Sequence, residues 1–260
     1  MVNTLRIVYA GDRDISVSVL RFIIRQGVKP ISLLTSDGGI ATHAQKLMEI
    51  CNYLDDSLIL KGNQFRTKSG INLLKELGAD YIISVHFPHI FPNEVLKIPR
   101  YGVLNLHPAY LPYNRGWHTP TWAIWEGTPY GATLHFMEEE IDRGDIIHQK
   151  QQDILPEDTA DTLYKRVKKL ELEVFKEAWS YIESAKYTRK PQGSTEGTRH
   201  NRVDIASLQC VDLDAQIKAG DLIRLLRALT TNKINESAYF RVYGNLYRMQ
   251  LSIVKEEEQH

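Results

Sequence analysis

The chain has only two cysteines, Cys51 and Cys210, in 260 residues. They are isolated, with neither the density of a disulfide framework nor the close spacing of a zinc site, so inert thiols in a reducing compartment are expected. No stretch approaches the roughly 18 consecutive apolar residues of a membrane span. Met1-Val2-Asn3-Thr4-Leu5-Arg6 leads into a predicted strand without the small-residue cleavage site of a secretory signal. A cytoplasmic protein with no membrane partner is therefore expected. An excess of one charge is also lacking: 32 Lys+Arg balance 32 Asp+Glu. That argues against a broad polyanion-binding face and so against a nucleic-acid partner, whereas a single nucleotide diphosphate needs only a local patch. His86 and His89 lack a third ligand at any recognisable spacing, so no metal is expected. Internal repeats and low-complexity tracts are missing too.

What is present is 43% apolar residues, enough for one sizeable core. Residues 5–10 read as a strand ending at Gly11-Asp12-Arg13-Asp14. Ile15, Val19, Phe22 and Ile23 then follow at helical spacing up to Gly27. Asp12 or Asp14 is expected to cap that helix. Arg13, beside the free N–H groups of its first turn, is a candidate phosphate ligand. Further strands are predicted at 31–35, 58–60, 81–85, 102–107, 131–137 and 145–150, and helices at 41–53, 71–77, 119–126 and 158–185. The last helix carries Leu163, Val167, Leu170, Val174, Ala178 and Tyr181 as an apolar stripe that reads as core.

This alternation, with strands as continuously apolar as Tyr81-Ile82-Ile83-Ser84-Val85, predicts an α/β fold with a doubly wound, mostly parallel sheet. Residues 1–185 form the expected main domain and 186–202 a polar, basic linker. Residues 203–260 form a small C-terminal region. It comprises a helix over 217–229, with Leu222, Leu225, Leu226 and Leu229 apolar, and a β-hairpin of 238–243 and 246–251 turning at Gly244-Asn245. The tail Lys255-Glu256-Glu257-Glu258 reads as solvated.

The densest chemistry lies between Tyr101 and Asp145. Asn105 and His107 are two apart on a predicted strand and so project from one face, and Pro108 stops the ladder. Asp142 belongs to Asp142-Arg143-Gly144-Asp145, a tight turn able to present its carboxylate inward, while Asp145 is expected to satisfy the turn. An amide donor, an imidazole and a carboxylate are what acyl transfer requires, to stabilise an oxyanion, move a proton and orient the imidazole. Taken singly, such an Asn is a turn residue and such a His a satisfied one; it is the three types in complementary roles that carry the reading. The loop His86-Phe87-Pro88-His89-Ile90-Phe91-Pro92 follows the carboxyl end of a strand, where open α/β sheets bind ligands.

Three pieces, Asn105-Leu106-His107-Pro108, Tyr110-Leu111-Pro112-Tyr113-Asn114-Arg115-Gly116 and Asp142-Arg143-Gly144-Asp145, resemble the signature of the folate-dependent formyltransferases, with 37 residues from Asn105 to Asp142. The resemblance covers approximately residues 5–185. Tyr110 departs from the usual leucine, which is expected to alter packing rather than proton transfer. The resemblance implies a Rossmann-like catalytic domain, N10-formyltetrahydrofolate as cosubstrate, no metal, and Asn105, His107 and Asp142 as catalytic residues. It also implies a cofactor wall of Phe87, Pro88, His89, Ile90, Ala109, Tyr110, Leu111 and Pro112, with Asp142.

Arg115-Gly116-Trp117-His118-Thr119-Pro120 and the short chain look most like the members that formylate a nucleotide-linked amino-sugar, of the dTDP-4-amino-4,6-dideoxyglucose type, for lipopolysaccharide O-antigen precursors. Arg13, Arg115, Trp117, Tyr239 and Phe240 are then the expected substrate contacts. At most one of the adjacent Tyr239 and Phe240 can stack on the base, since alternation sends them to opposite faces. A homodimer is implied as well, through Leu222, Leu225 and Leu229 if the chain itself leaves them uncovered. The alternatives are a methionyl-tRNA formyltransferase, disfavoured by the short, charge-balanced C-terminal region, and a non-catalytic folate or nucleotide-sugar binding protein, against which the intact trio speaks.

Overall fold

The computed structural model describes residues 5–193 and 197–256; residues 1–4, residues 194–196 of the expected linker and residues 257–260 of the expected tail lie outside the described residues. The first half alternates β1 (Ile7–Gly11), α1 (Asp14–Arg25), β2 (Ser32–Thr35), α2 (Ala44–Ile50), β3 (Ile59–Lys61), α3 (Lys68–Leu77), β4 (Tyr81–Val85), α4 (Asn93–Leu96) and β5 (Gly102–His107). The second half runs β6 (Arg115–Gly116), α5 (Thr119–Glu126), β7 (Gly131–Phe136), β8 (Ile146–Gln151), α6 (Ala160–Ser184), β9 (Arg199–His200), α7 (Ala206–Gln209), α8 (Ala219–Leu229), β10 (Ala238–Val242) and β11 (Asn245–Met249). No helix among the described residues is long and apolar enough to cross a membrane.

One seven-stranded sheet has the order β3-β2-β1-β4-β5-β7-β8. β1 to β5 pair in parallel, and β7 joins antiparallel to β5. The order reverses between β1 and β4, so the crevice beyond their carboxyl ends is the topological switch point of a doubly wound fold. β1, β2 and β4 are buried along their whole length, as the continuous apolar runs require. Val8, Ala10, Leu34, Ile82 and Val103 share one core with Phe65, Leu74 and Val95. On the opposite face the Tyr9 hydroxyl donates to the Ser16 carbonyl of α1 at 2.6 Å.

Local signals mostly act where expected. Thr67 caps α3 by accepting from the Gly70 N–H at 3.1 Å, and Gly78 closes that helix in the left-handed region at φ 55°. The capping of α1 differs. Its N-cap is Arg13, without a side-chain bond, and the buried Asp12 carboxylate instead accepts the N–H groups of Thr42 at 2.9 Å and His43 at 2.8 Å at the start of α2. In α6, Leu163, Val167, Val174 and Ala178 are buried, but Tyr181 is 49% exposed and Ile182 takes the core position. Glu171, Phe175 and Trp179 are buried beside Val174 and Ala178, so the buried face of this half of the helix is rotated from the stripe toward Ile182 and away from Tyr181. Phe22 of α1 meets Phe175 and Trp179 of α6 edge-on, at 6.1 and 5.9 Å between ring centres.

Two compact units divide the chain: Met1–His107, Thr133–Gln149 and Glu171–Gln192 form one, and Pro108–Ala132, Lys150–Leu170 and Gly193–His260 the other. The expected linker is drawn into both. Lys190 bridges Ile146 in the first unit, and β9 pairs with β6 in the second. In the second unit Leu225 and Leu229 are buried with Ile205 and Ala238, so this part of the face assigned to a partner is covered by the chain's own residues. β10 and β11 pair antiparallel from Ala238 opposite Met249 to Val242 opposite Asn245, the expected hairpin. Cys51 is buried and Cys210 exposed, and burial pushes the Cys51 thiol pKa up, consistent with an inert side chain.

Candidate active site

β5 delivers Asn105 half-buried and His107 buried from the same face, as strand alternation requires. The antiparallel register of β7 sets His135 opposite Asn105 and Thr133 opposite His107. The turn after β7 supplies Asp142, held in the left-handed region at φ 53°. The Asn105 amide donates to Asp142 Oδ1 at 3.3 Å. His107 Nε2 lies 3.6 Å from Asp142 Oδ2, and His135 Nε2 lies 3.5 Å from Asp142 Oδ1. Amide, imidazole and carboxylate thus meet within one compact unit.

His135 and Gln192 were not found by sequence reasoning. His135 is fully buried, and its Nδ1 sits 2.7 Å from the Phe136 carbonyl. A carbonyl can only accept, so Nδ1 carries a proton, and the ring is thereby turned to set Nε2 3.3 Å from the Asn105 amide nitrogen. The signal that could have found it is the alternation of β7, which puts Thr133 and His135 on one face. Gln192 donates from Nε2 to the carbonyls of Asp142 at 2.9 Å and Gly144 at 2.8 Å. Gly144 is required where it is, because a Cβ there would stand 2.1 Å from the Phe136 carbonyl oxygen.

The loop after β4 divides by role. Phe87 and Phe91 are buried and pack on Phe65, each ring centre within 5.5 Å of it, so Phe87 can offer a ligand little beyond its backbone. Ile90 is 62% exposed, and Pro88 and His89 are half-buried. Burial, and then the Arg66 charge, hold the His89 pKa below the usual histidine value. Its Nε2 is buried with no hydrogen-bond partner among the described residues. Arg66 also donates to the Ile90 carbonyl, which fixes the loop tip.

Arg13 is engaged by Asp12, Thr42 Oγ1 and the Ile40 carbonyl, so much of its guanidinium serves the β1 to α2 junction. An open cleft of about 490 Å³ nearby, lined by Asp14, Arg21, Thr42, His43 and Lys46 among others, contains none of the trio.

In the second unit Ala109 and Leu111 are buried, and Tyr110 and Pro112 are half-buried. Arg115 is buried, and its N–H donates to the Thr198 carbonyl at 3.0 Å. The Trp117 N–H donates to the His200 carbonyl at 3.0 Å, its ring is 43% exposed, and the Arg202 guanidinium lies over it at 5.4 Å. Gly116 has φ 93°, and a Cβ there would meet the His200 carbonyl oxygen at 2.2 Å. Phe240 stacks on Tyr247 at 5.3 Å, whereas Tyr239, on the other face, lies beneath Arg241 and Arg248.

A doubly wound α/β fold that gathers an amide donor, an imidazole and a carboxylate at the carboxyl end of a central strand has the makings of a group-transfer enzyme. A family model described as formyl transferase matches residues 34–179, and one described as N-formyltransferase dimerization C-terminal domain matches residues 204–255. The chain belongs to the formyl transferase family and is a formyltransferase.

Among its relatives, dTDP-4-amino-4,6-dideoxyglucose formyltransferase of Mycobacterium tuberculosis is 30% identical over 165 residues, 64% of this chain and 69% of that one. Methionyl-tRNA formyltransferase of Agathobacter rectalis is 27% identical over 250 residues, 94% of this chain and 79% of that one. A solved sugar N-formyltransferase from Shewanella sp FDAARGOS_354 superimposes with a TM-score of 0.83 at 26% identity, covering 98% of this chain and 100% of that one. A 4-N formyltransferase from Francisella tularensis does so with 0.82 at 28% identity, covering 97% and 99%.

Proposed function

We propose that this formyltransferase moves a formyl group from N10-formyltetrahydrofolate to the amine of a nucleotide-linked amino-sugar, of the dTDP-4-amino-4,6-dideoxyglucose type, making a precursor of O-antigen-like surface polysaccharide in the cytoplasm. The observation that carries this reading is correspondence along the whole chain, C-terminal helices and hairpin included, with solved sugar N-formyltransferases. Methionyl-tRNA formylation is the second reading, favoured by the 27% identity over 94% of this chain.

The folate supplies an activated formyl group on a nitrogen leaving group, and the protein's own groups do the rest. Asn105 Nδ2 donates to the oxygen on which negative charge develops as the amine attacks; its 3.3 Å bond to Asp142 is long enough to be exchanged for that stronger partner. His107 takes the proton released by the amine and passes it to the folate nitrogen as the bond to the formyl carbon breaks, or when already protonated donates beside Asn105. Asp142 orients the ring and stabilises its charged form. His135, fixed by its Phe136 bond, holds the Asn105 amide from behind.

Within the first unit, the loop His86–Phe91 offers the folate His89 Nε2 and its own backbone as polar contacts. Arg115, Trp117 and Tyr239 read the nucleotide-sugar. A homodimer forms through the C-terminal region, where Leu213, Ile217, Ile223 and Tyr247 are exposed.

The test is to incubate the protein with N10-formyltetrahydrofolate and, in parallel, a panel of nucleotide amino-sugars and aminoacylated initiator tRNA. A mass gain of one formyl group on a sugar supports the reading. Formylation of the tRNA alone replaces it.

A further inference from the structure

Residues 187–192 continue past α6 as a strap across the first unit. The Tyr187 hydroxyl meets that of Tyr81 at 3.1 Å. The Arg189 guanidinium lies 3.6 Å over the Phe136 ring and donates to the Tyr101 carbonyl at 3.2 Å. Lys190 and Ile146 exchange both backbone bonds, at 2.8 and 2.9 Å. These ties deliver Gln192 to the turn that carries Asp142, where one amide nitrogen donates to two carbonyls, of Asp142 at 2.9 Å and Gly144 at 2.8 Å. The other end of that amide, Oε1, is buried without a partner among the described residues, so the donor end alone accounts for the side chain's placement.

The turn needs such a clamp. Asp142 sits at φ 53°, in the left-handed region, which aspartate enters more readily than most residues with a Cβ but still at a cost that surrounding contacts offset. The two carbonyls bracket Arg143 and point at one spot, and a primary amide carries two hydrogens on a single nitrogen, one for each. If the clamp is released, the backbone of 142–144 can relax, and the carboxylate loses its place against Asn105 and His107.

We propose that Gln192 is a positioning residue for formyl transfer: through the carbonyls of Asp142 and Gly144 it sets the direction of the Asp142 carboxylate. It does not touch the reacting atoms, and the proposal rests on Asp142 working with His107. Misplacement by about an ångström can cost roughly 100-fold in rate, so Gln192→Ala is expected to lower kcat by roughly 10- to 100-fold. KM for folate and acceptor should stay near the parent values.

The deciding experiment measures kcat, both KM values and Tm for Gln192→Ala, Gln192→Met, Asp142→Asn and the combination of Asp142→Asn with each Gln192 variant. Gln192→Met keeps the length of the side chain without its donors and serves should the alanine variant fold poorly. The expected result is that either change at Gln192 costs kcat in the parent and nothing further once Asp142 is Asn, the mark of two residues acting as one unit. A loss that repeats in the Asp142→Asn background, or parent-like kcat in Gln192→Met, overturns the role of Gln192 alone. Parent-like turnover of Asp142→Asn overturns the catalytic reading of Asp142 together with it.

Discussion

His86 Nε2 lies 2.7 Å from Glu171 Oε1, with 8% and 0% of the two side chains exposed, and this pair ties the loop after β4 to the middle of α6. His86 itself is left-handed, at φ 50°. Removing one partner of a buried pair costs about 3 to 5 kcal/mol, because the other is left without compensation. His86→Leu, which strands the carboxylate, should lower stability by about that amount, and Glu171→Leu by less, since a neutral imidazole is cheaper to bury. The double variant should lose less than the sum. Denaturant midpoints measure all three; a cost below about 1 kcal/mol for His86→Leu would reduce the pair to a weak contact.

The trio should separate catalysis from binding. His107→Asn and Asn105→Ala are each expected to lower kcat roughly 100-fold or more, through loss of the proton carrier or the oxyanion donor. Folate affinity, measured by titration, should change little. Near-normal turnover in His107→Asn would remove the imidazole from the mechanism.

Asp12 gives the fold a pH dependence. Burial opposes its charge, but the N–H groups of His43 and Thr42, with the Arg13 charge, outweigh that and hold its carboxyl pKa below the usual carboxylate value. A depressed folded-state pKa adds stability above the unfolded value of about 3.9. That stability is lost as pH falls through the lower folded value. Asp12→Asn should therefore be destabilised at pH 7, with the gap from the parent closing below about pH 4. A gap that is constant across urea melts from neutral to acidic pH would show that the charge of Asp12 contributes nothing.

Arg115 is buried and its backbone is locked to β9, so loop integrity and substrate reading must be told apart. Arg115→Ala should impair a full nucleotide-sugar more than an unphosphorylated amine. Equal loss of kcat/KM on both acceptors, together with a lowered Tm, would assign the side chain to its own loop instead.

The hairpin aromatics are expected to behave differently. Phe240 is committed to Tyr247, so Phe240→Ala should cost thermal stability, including about 0.5 to 1.5 kcal/mol from the lost ring pair. Tyr239→Ala should instead raise the acceptor KM by the equivalent of about 1 to 3 kcal/mol of stacking with kcat little changed. If the KM effect falls on Phe240, the two faces of the hairpin have been assigned the wrong way round.

The sequence by itself determined the parallel sheet, the common face of Asn105 and His107 and the terminator at Gly78, because each follows from a short-range rule: period-two alternation, continuous burial or a left-handed helix end. Only the tertiary structure decided the rest. His135 stands behind Asn105 because β7 pairs antiparallel with β5 in one particular register, and nothing within either strand encodes that register. Asp12 accepts from the N–H groups just ahead of α2 instead of capping α1, Glu171 reaches His86 across 85 positions, and Gln192 closes on Asp142 across 50. Local composition read the stretch around Gln192 as a polar linker. A polar side chain in sequence shows what it can donate or accept, but its partner is settled only when distant segments pack and every buried polar group must find one.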